Sequence, residues 1–394
     1  MAGKTVLILG GGWGGMALAY SLRGMLSSEH RVVVIEKNET FALCLSNLKI
    51  MTGGWNSPAD AQRQMSKMSR EGIEWVHEEA LKIDPVTREV QTETQTLQGD
   101  YLVVALGASL NPGAVPGFDE AAHNLYEATG AHQLQKALKE FDGGKIAVVI
   151  SRMPYRCPAA PFEASFLMDS MFRERGIREQ VEITVYTPGP RPMAVAGPIV
   201  GDALLGMLAE REIGYGGDHV VSSIDPESRT MLFGDEEVSY DLLVGVPPHI
   251  APQIVIDSGL TDSSGYIPTH PQSLEVLTDV ENLETEYTGV YAIGDVTTIT
   301  LLNMMPLPKA GVFAEAEARV VAQSIEASIA GKPGTLGYDG LGACHVDIGG
   351  GLAAFAGGNF YASPGPRITL EPPSARYHQE KEEYEQVLDA WFVR

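Results

Sequence analysis

Short apolar runs separated by turn residues set the rhythm of this chain. Thr5-Val-Leu-Ile-Leu9 and Arg31-Val-Val-Val-Ile35 are uninterrupted apolar runs of strand length. Without polar alternation, such runs predict strands of a parallel sheet covered on both faces. Between them Met16, Leu18, Ala19 and Leu22 share one helical face, which predicts a helix over about 14–26. Lys145 to Ile150 and Val181 to Tyr186 repeat the pattern. Two further buried strands are predicted, one ending in small residues at Gly107, the other in Gly294-Asp295. The stretch over about 73–97 alternates and predicts a β-meander. A last helix is predicted over about 379–392, with Tyr384, Leu388 and Trp391 on one face. Its other positions carry Glu380, Glu382, Glu383, Glu385 and Asp389. Strands alternating with helices predict an α/β fold.

Composition narrows the class. A chain of 394 residues suggests two or three domains. With 44% hydrophobic and 20% charged residues it is an ordinary globular sequence, neither disordered nor fibrous. The formal charge of −23 repels phosphate backbones, so nucleic acid is not an expected partner. Three cysteines are too few for a disulfide scaffold and leave buried thiols or redox groups. No apolar stretch is long enough for a transmembrane helix, and the nine histidines form no ligand spacing, so no metal is expected. The chain enters its first strand with no signal peptide ahead of it. That reads as cytoplasmic or peripheral at a membrane, or periplasmic after loss of a leader.

Gly10-Gly-Gly12-Trp-Gly-Gly15 falls between the first strand and the first helix. Gly10 allows the tight turn, Gly12 lets backbone approach a pyrophosphate, and Gly15 lets helix and strand pack closely. The helix N-terminus adds free N–H groups and partial positive charge. Glu36 ends the second strand, where a carboxylate accepts hydrogen bonds from a ribose diol. A Gly-rich turn alone is weak evidence, but strand, helix, second strand and acid fall in register here.

The second such unit has lost its fingerprint. After Ile150 the chain reads Ser151-Arg-Met-Pro-Tyr-Arg-Cys157-Pro-Ala-Ala-Pro161-Phe-Glu163, with no glycine. Pro154, Pro158 and Pro161 remove N–H donors that a phosphate needs. The strand to Tyr186 ends in Thr187, with no acid or arginine for an adenosine ribose. A nicotinamide site is therefore not expected in this unit.

The Gly107 and Gly294-Asp295 strand ends, beside the N-terminal motif, resemble two-dinucleotide-domain flavoproteins. That resemblance implies FAD at the first motif, Asp295 on the ribityl chain and Gly294 against the pyrophosphate. More specifically, Arg-Cys157-Pro-x-x-Pro-x-Glu163, Cys344-x-x-Asp-x-Gly and Pro306-Leu-Pro308-Lys309-Ala-Gly311 together resemble one family. It comprises the sulfide:quinone oxidoreductases and the flavoprotein subunit of flavocytochrome c sulfide dehydrogenase. Ser46-Asn47 with Gly53-Gly-Trp55 belongs to the same pattern, and the resemblance runs from about Thr5 to about Phe392. It implies a redox disulfide on one face of the flavin ring. The cysteine matching Cys344 lies nearest flavin C4a, and the one matching Cys157 receives sulfide. Lys309 is then expected near the pyrimidine edge, stabilising negative charge. Glu163 is expected either to move protons in the sulfide pocket or to form an ion pair at the surface. Asn47 and Gly107 join the expected cofactor-binding set.

Two departures qualify the resemblance. Many of these enzymes carry a third cysteine four residues before a histidine; here His132 remains but the position holds Ala128. A three-cysteine sulfur relay is therefore not expected. Many also continue into amphipathic membrane helices, whose polar faces are usually basic. The acidic final helix is expected to cap the fold or meet a partner. Cys44 concerns a flavin bond. Counted from Glu36 it matches the linking cysteine of the flavocytochrome branch; counted back from Ser46-Asn47 it falls one residue late. FAD is expected without a covalent bond, with linkage at Cys44 as the alternative.

The fold expected is two Rossmann-like dinucleotide-binding domains plus a small C-terminal region. The FAD domain takes 1–112 and returns over 245–325, the second domain takes 113–244, and the C-terminal region 326–394. The leading function is FAD-dependent sulfide oxidation through Cys157 and Cys344 with quinone as acceptor. A slot for quinone is sought near Leu301–Met305, Phe355 and Phe360. Three other readings stay open: a cytochrome c acceptor, an NADH dehydrogenase of the related class, and a redox-silent FAD-binding protein. A homo-oligomer and a peripheral membrane contact are compatible with each.

Overall fold

The computed structural model describes residues 3–43, 46–68, 72–334, 337–386 and 388–392. Two five-stranded parallel sheets organise it. The first runs in the order Val290–Ala292, Tyr101–Val104, Thr5–Leu9, Arg31–Ile35, Ile73–Val76. Four of its strands come from the first 104 residues and the fifth, Val290–Ala292, from far along the chain, so a late segment completes the sheet the N-terminal part begins. The second runs His123–Asn124, Leu242–Val246, Gly144–Ile150, Val181–Tyr186, Ile213–Gly216. The continuous apolar runs form central strands because both faces are covered; Val6, Leu7, Ile8 and Leu9 are each almost fully buried. The first helix spans Trp13–Met25 and packs along a long helix, Gly311–Ile329.

The expected meander divides in two. Ile73–Val76 joins the edge of the first parallel sheet, and only Ala80–Asp84, Glu89–Thr92 and Thr96–Gln98 form an antiparallel sheet. An apolar-polar alternation over four residues fits an edge strand of either kind, and the register with Val32–Ile35 decides it. Another antiparallel sheet, called the third sheet below, holds Leu341–Asp347, Ala353–Asn359 and Arg367–Ser374. The last helical region starts earlier than expected and is two helices, Ala375–Gln386 and Leu388–Trp391. It caps the fold: Tyr384 and Trp391 pack at a tilt against Trp13 at ring distances of 5.2 and 4.8 Å. No helix among the described residues is long and apolar enough to cross a membrane.

Candidate active site

A cavity of about 590 Å³ opens at the C-terminal ends of the first sheet's strands. Such crevices are where open α/β sheets take their ligands. Its floor is the glycine motif. Gly10 has φ +100°, and a Cβ there would stand 2.5 Å from the Ala105 carbonyl oxygen. A Cβ on Gly15 would stand 2.0 Å from the Gly10 carbonyl oxygen, which is why helix and strand need glycine at that crossing. At Gly12 a Cβ would meet nothing within 4 Å, because this position faces the open cavity. The helix that follows has no side-chain cap and no acid in its first turn. Its leading N–H groups are thus left for an anion.

Glu36 stands where the second strand ends. One carboxylate oxygen accepts the Gly11 N–H and the other the Asn38 N–H, both at 2.8 Å. The carboxylate is fixed at the cavity wall with lone pairs to spare. Open space at Gly12, free helix N–H groups and an anchored acid fit the pyrophosphate and ribose of a dinucleotide. Gly107, at φ +67°, lines the same wall.

Lys309 and Asp295 form the opposite end. Lys309 is 5% exposed, not a surface lysine. Its ammonium donates to the Asp295 and Thr297 carbonyls at 2.7 and 2.9 Å and lies 3.5 Å above the Tyr266 ring. Burial lowers its pKa to about 8 against the pull of Asp295 and Glu317. Burial raises Asp295, and Lys309 opposes the shift. Gly294 stands back from the cavity, its N–H donating to Glu317 at 2.6 Å.

Cys157 and Cys344 line this same cavity. Each arrives from a different layer. Cys344 is carried by the strand Leu341–Asp347 of the third sheet. Cys157 comes from the loop after Gly144–Ile150, where the second unit's phosphate loop belongs. Instead of cradling phosphate, this loop buries Tyr155 and turns into the first domain's cavity. Cys157 has φ +48°, a left-handed conformation that costs a non-glycine residue about 1–2 kcal/mol. Its N–H donates to the Lys309 carbonyl at 2.6 Å, and its carbonyl accepts from the Tyr126 hydroxyl at 3.1 Å. Both thiols are unbonded. Burial and the Glu163 carboxylate push both up in pKa, Cys344 to about 12, while Lys381 pulls both down.

Glu163 is ion-paired, as one expectation had it, but deep inside at 1% exposure. Its partner is Lys381, and the same carboxylate oxygen accepts the Asp347 N–H at 2.8 Å. Sequence reasoning missed Lys381 because it lies in the most acidic helix of the chain, where a lysine reads as a solvated charge. Its helical spacing from Tyr384, three positions on, marks it as inward-facing.

Some expected placements differ. Asn47 lies outside the large cavity, donating to the Leu125 carbonyl at 3.0 Å beside a small void that Cys157 also touches. Leu301–Met305, Phe355 and Phe360 do not line the cavity either. Phe360 packs edge-on against Phe313, Phe355 stacks on Tyr377, and Met304 is exposed. Cys44, the residue of the covalent alternative, lies outside the described residues.

Paired parallel sheets, an anchored dinucleotide cradle and two cysteines in one cavity define a flavin-dependent oxidoreductase with a Rossmann-type fold. The chain belongs to the pyridine nucleotide-disulphide oxidoreductase family, whose model matches residues 4–318. Within it the chain is similar to sulfide:quinone oxidoreductases. It is 27% identical over 345 residues to the sulfide-quinone reductase of Aquifex aeolicus, covering 84% of this chain and 78% of that one. It is 22% identical over 377 residues to the mitochondrial sulfide:quinone oxidoreductase of Mus musculus, covering 91% and 79%. The solved sulfide:quinone oxidoreductase of Aquifex aeolicus superposes with a TM-score of 0.85 at 23% identity, covering 98% of this chain and 90% of that one.

Proposed function

We propose that this enzyme oxidises sulfide at a Cys157–Cys344 disulfide and passes the electron pair through FAD to a quinone. The observation that carries the reading is that both cysteines line the dinucleotide cavity beside the buried Glu163–Lys381 pair. The named activity of the relatives supports the substrate class.

Hydrosulfide attacks the Cys157 sulfur. A sulfur–sulfur bond forms there, the bond to Cys344 breaks, and the electron pair leaves on Cys344. Burial and the Glu163 carboxylate disfavour that thiolate, and Lys381 offsets part of their effect. The resulting thiolate is a strong electron donor held against the cavity. FAD, when bound, supplies a two-electron acceptor there and a route to the quinone. Gly12 and the helix N-terminus hold its pyrophosphate, Glu36 its adenosine ribose, and Lys309 places a cation at the far wall. With Ala128 in place of a third cysteine, a second hydrosulfide takes the outer sulfur from Cys157: a new sulfur–sulfur bond forms, hydrodisulfide leaves, and the freed Cys157 thiolate re-forms the bond to Cys344 as the electron pair passes on. FAD is held without a covalent bond; acid precipitation then leaves a colourless pellet, and flavin on the Cys44 peptide contradicts this.

The test is anaerobic mixing of the FAD-loaded enzyme with sulfide, then with decylubiquinone. Wild type bleaches and recovers, whereas Cys157→Ser and Cys344→Ser do not bleach. Wild-type turnover in both variants would overturn the reading. A second acceptor, a basic cytochrome c, is favoured by the net charge of −23. It requires fast, salt-sensitive cytochrome reduction beside absent quinone reduction.

A further inference from the structure

Lys381 belongs to two cavities. One holds the cysteines; the other, about 530 Å³, lies on the far side and is lined by Lys49, Trp55, Asp347, His378 and Glu382 among others. The sulfide chemistry above makes no use of this second cavity.

A chain of polar contacts crosses between them. Lys381 donates to Glu163, whose same oxygen accepts the Asp347 N–H. The Asp347 carboxylate lies 3.1 Å from His378 Nδ1. His378 and Lys381 are three positions apart on the helix Ala375–Gln386 and therefore share a face. Exposure of the side chains rises along this path, from 1% at Glu163 and 11% at Lys381 to 32% at His378. The contact with Asp347 keeps the proton on His378 Nδ1 in the neutral ring and leaves Nε2 as a base.

We infer that Glu163, Lys381 and the Asp347–His378 pair form the proton exit from the cysteine pocket into the second cavity. The inference rests on the sulfide reading. When hydrosulfide attacks the disulfide, its sulfur bonds to Cys157, the electron pair goes to Cys344 and its proton passes to Glu163. Lys381 yields a proton to His378 Nε2 through water in the second cavity and regains one from Glu163. His378 then releases its proton to solvent. One disulfide is reduced, one sulfide oxidised and one proton exported. Asp347 acts through His378 and is a positioning residue. The titratable groups facing His378 across this cavity are Asp347, Lys381, Glu382, Lys49 and, from the helix Ala160–Glu174, Glu174. Lys49 is paired with Glu382 at 2.8 Å.

The experiment is stopped-flow reduction of the FAD-loaded enzyme by sulfide, in H2O and D2O, from acid to alkaline pH. His378→Gln keeps a hydrogen bond to Asp347 but cannot carry the proton. It is expected to slow flavin reduction at least about tenfold, to enlarge the solvent isotope effect, and to recover with added imidazole. Asp347→Asn provides a second variant with the same slowing. Unchanged rates and isotope effects in both variants overturn the inference. So does a slowing that imidazole does not relieve in His378→Gln. A wild-type enzyme that sulfide fails to bleach overturns the sulfide reading itself, so the two failures are distinct.

Discussion

The Cys157 N–H donates to the Lys309 carbonyl at 2.6 Å, so the sulfur loop of the second sheet is pinned to the lysine at the cavity's far wall. The same lysine turns its ammonium to the Asp295 and Thr297 carbonyls. One residue thus fixes the left-handed backbone of the cysteine and places a cation in the cavity. This coupling separates two roles, because the backbone contact survives a side-chain change.

Lys309→Met is expected to retain FAD and to slow sulfide reduction of the flavin by about 100–1000-fold, the loss typical of one preorganised charge donor. With its pKa lowered to about 8, Lys309 is charged below that pH and neutral above it. The wild-type rate should therefore fall as pH rises through about 8, and the variant should lack that limb. Stopped-flow rates across the range check this; an identical alkaline limb in the variant would assign it to another group.

The two glycines of the motif should fail differently. Gly15→Ala drives a Cβ into the Gly10 carbonyl oxygen and should destabilise the protein by about 1–3 kcal/mol with or without FAD. Gly12→Ala meets only open space, so the apoprotein should keep its stability to within about 1 kcal/mol. FAD affinity should nevertheless fall more than about tenfold, because the added methyl occupies the pyrophosphate approach. Urea melts of both apoproteins and FAD titrations decide. Equal losses of stability would show that Gly12 is a packing position.

Much of this architecture was legible in the sequence for physical reasons. Fully covered parallel strands must be apolar throughout, so Thr5–Leu9 and Val181–Tyr186 announce themselves with their bounds. The glycine motif is legible because close approach leaves one residue choice. The Glu163–Lys381 pair was only half legible. Glu163 stands in a motif, but burial of its partner depends on how the third sheet seats the helix Ala375–Gln386, a contact 218 positions away. Asn47 and Phe360 were less legible, because an amide or an aromatic ring satisfies the same pattern against protein as against a ligand, and both meet protein here.

NADH should leave the flavin absorbance unchanged under conditions where sulfide bleaches it. The loop after Ile150 has no glycine, and Tyr155 fills its interior at 3% exposure. The residues that follow are drawn into the cysteine cavity instead of forming a phosphate cradle. Anaerobic spectra with each reductant test this, and rapid bleaching by NADH would favour the dehydrogenase reading.

Glu317 should make stability depend on pH in a direction unusual for a carboxylate. It is 2% exposed and accepts the Gly294 N–H at 2.6 Å. Burial raises its pKa from 4.5 to about 7; the Gly294 bond opposes the shift, the Asp295 charge adds to it, and Lys309 opposes it. The native state therefore keeps a proton that the unfolded chain has already lost between pH 4.5 and about 7. Binding more protons when folded means stability from this group falls as pH rises across that window and stays low above it. Glu317→Gln keeps an acceptor for Gly294 and cannot ionise. The variant should match wild type near pH 4.5 and exceed it at pH 8 by about 2–4 kcal/mol. Urea unfolding of the FAD-loaded proteins at both pH values measures the difference. A gap of the same size at both would mean that Glu317 does not carry the titration.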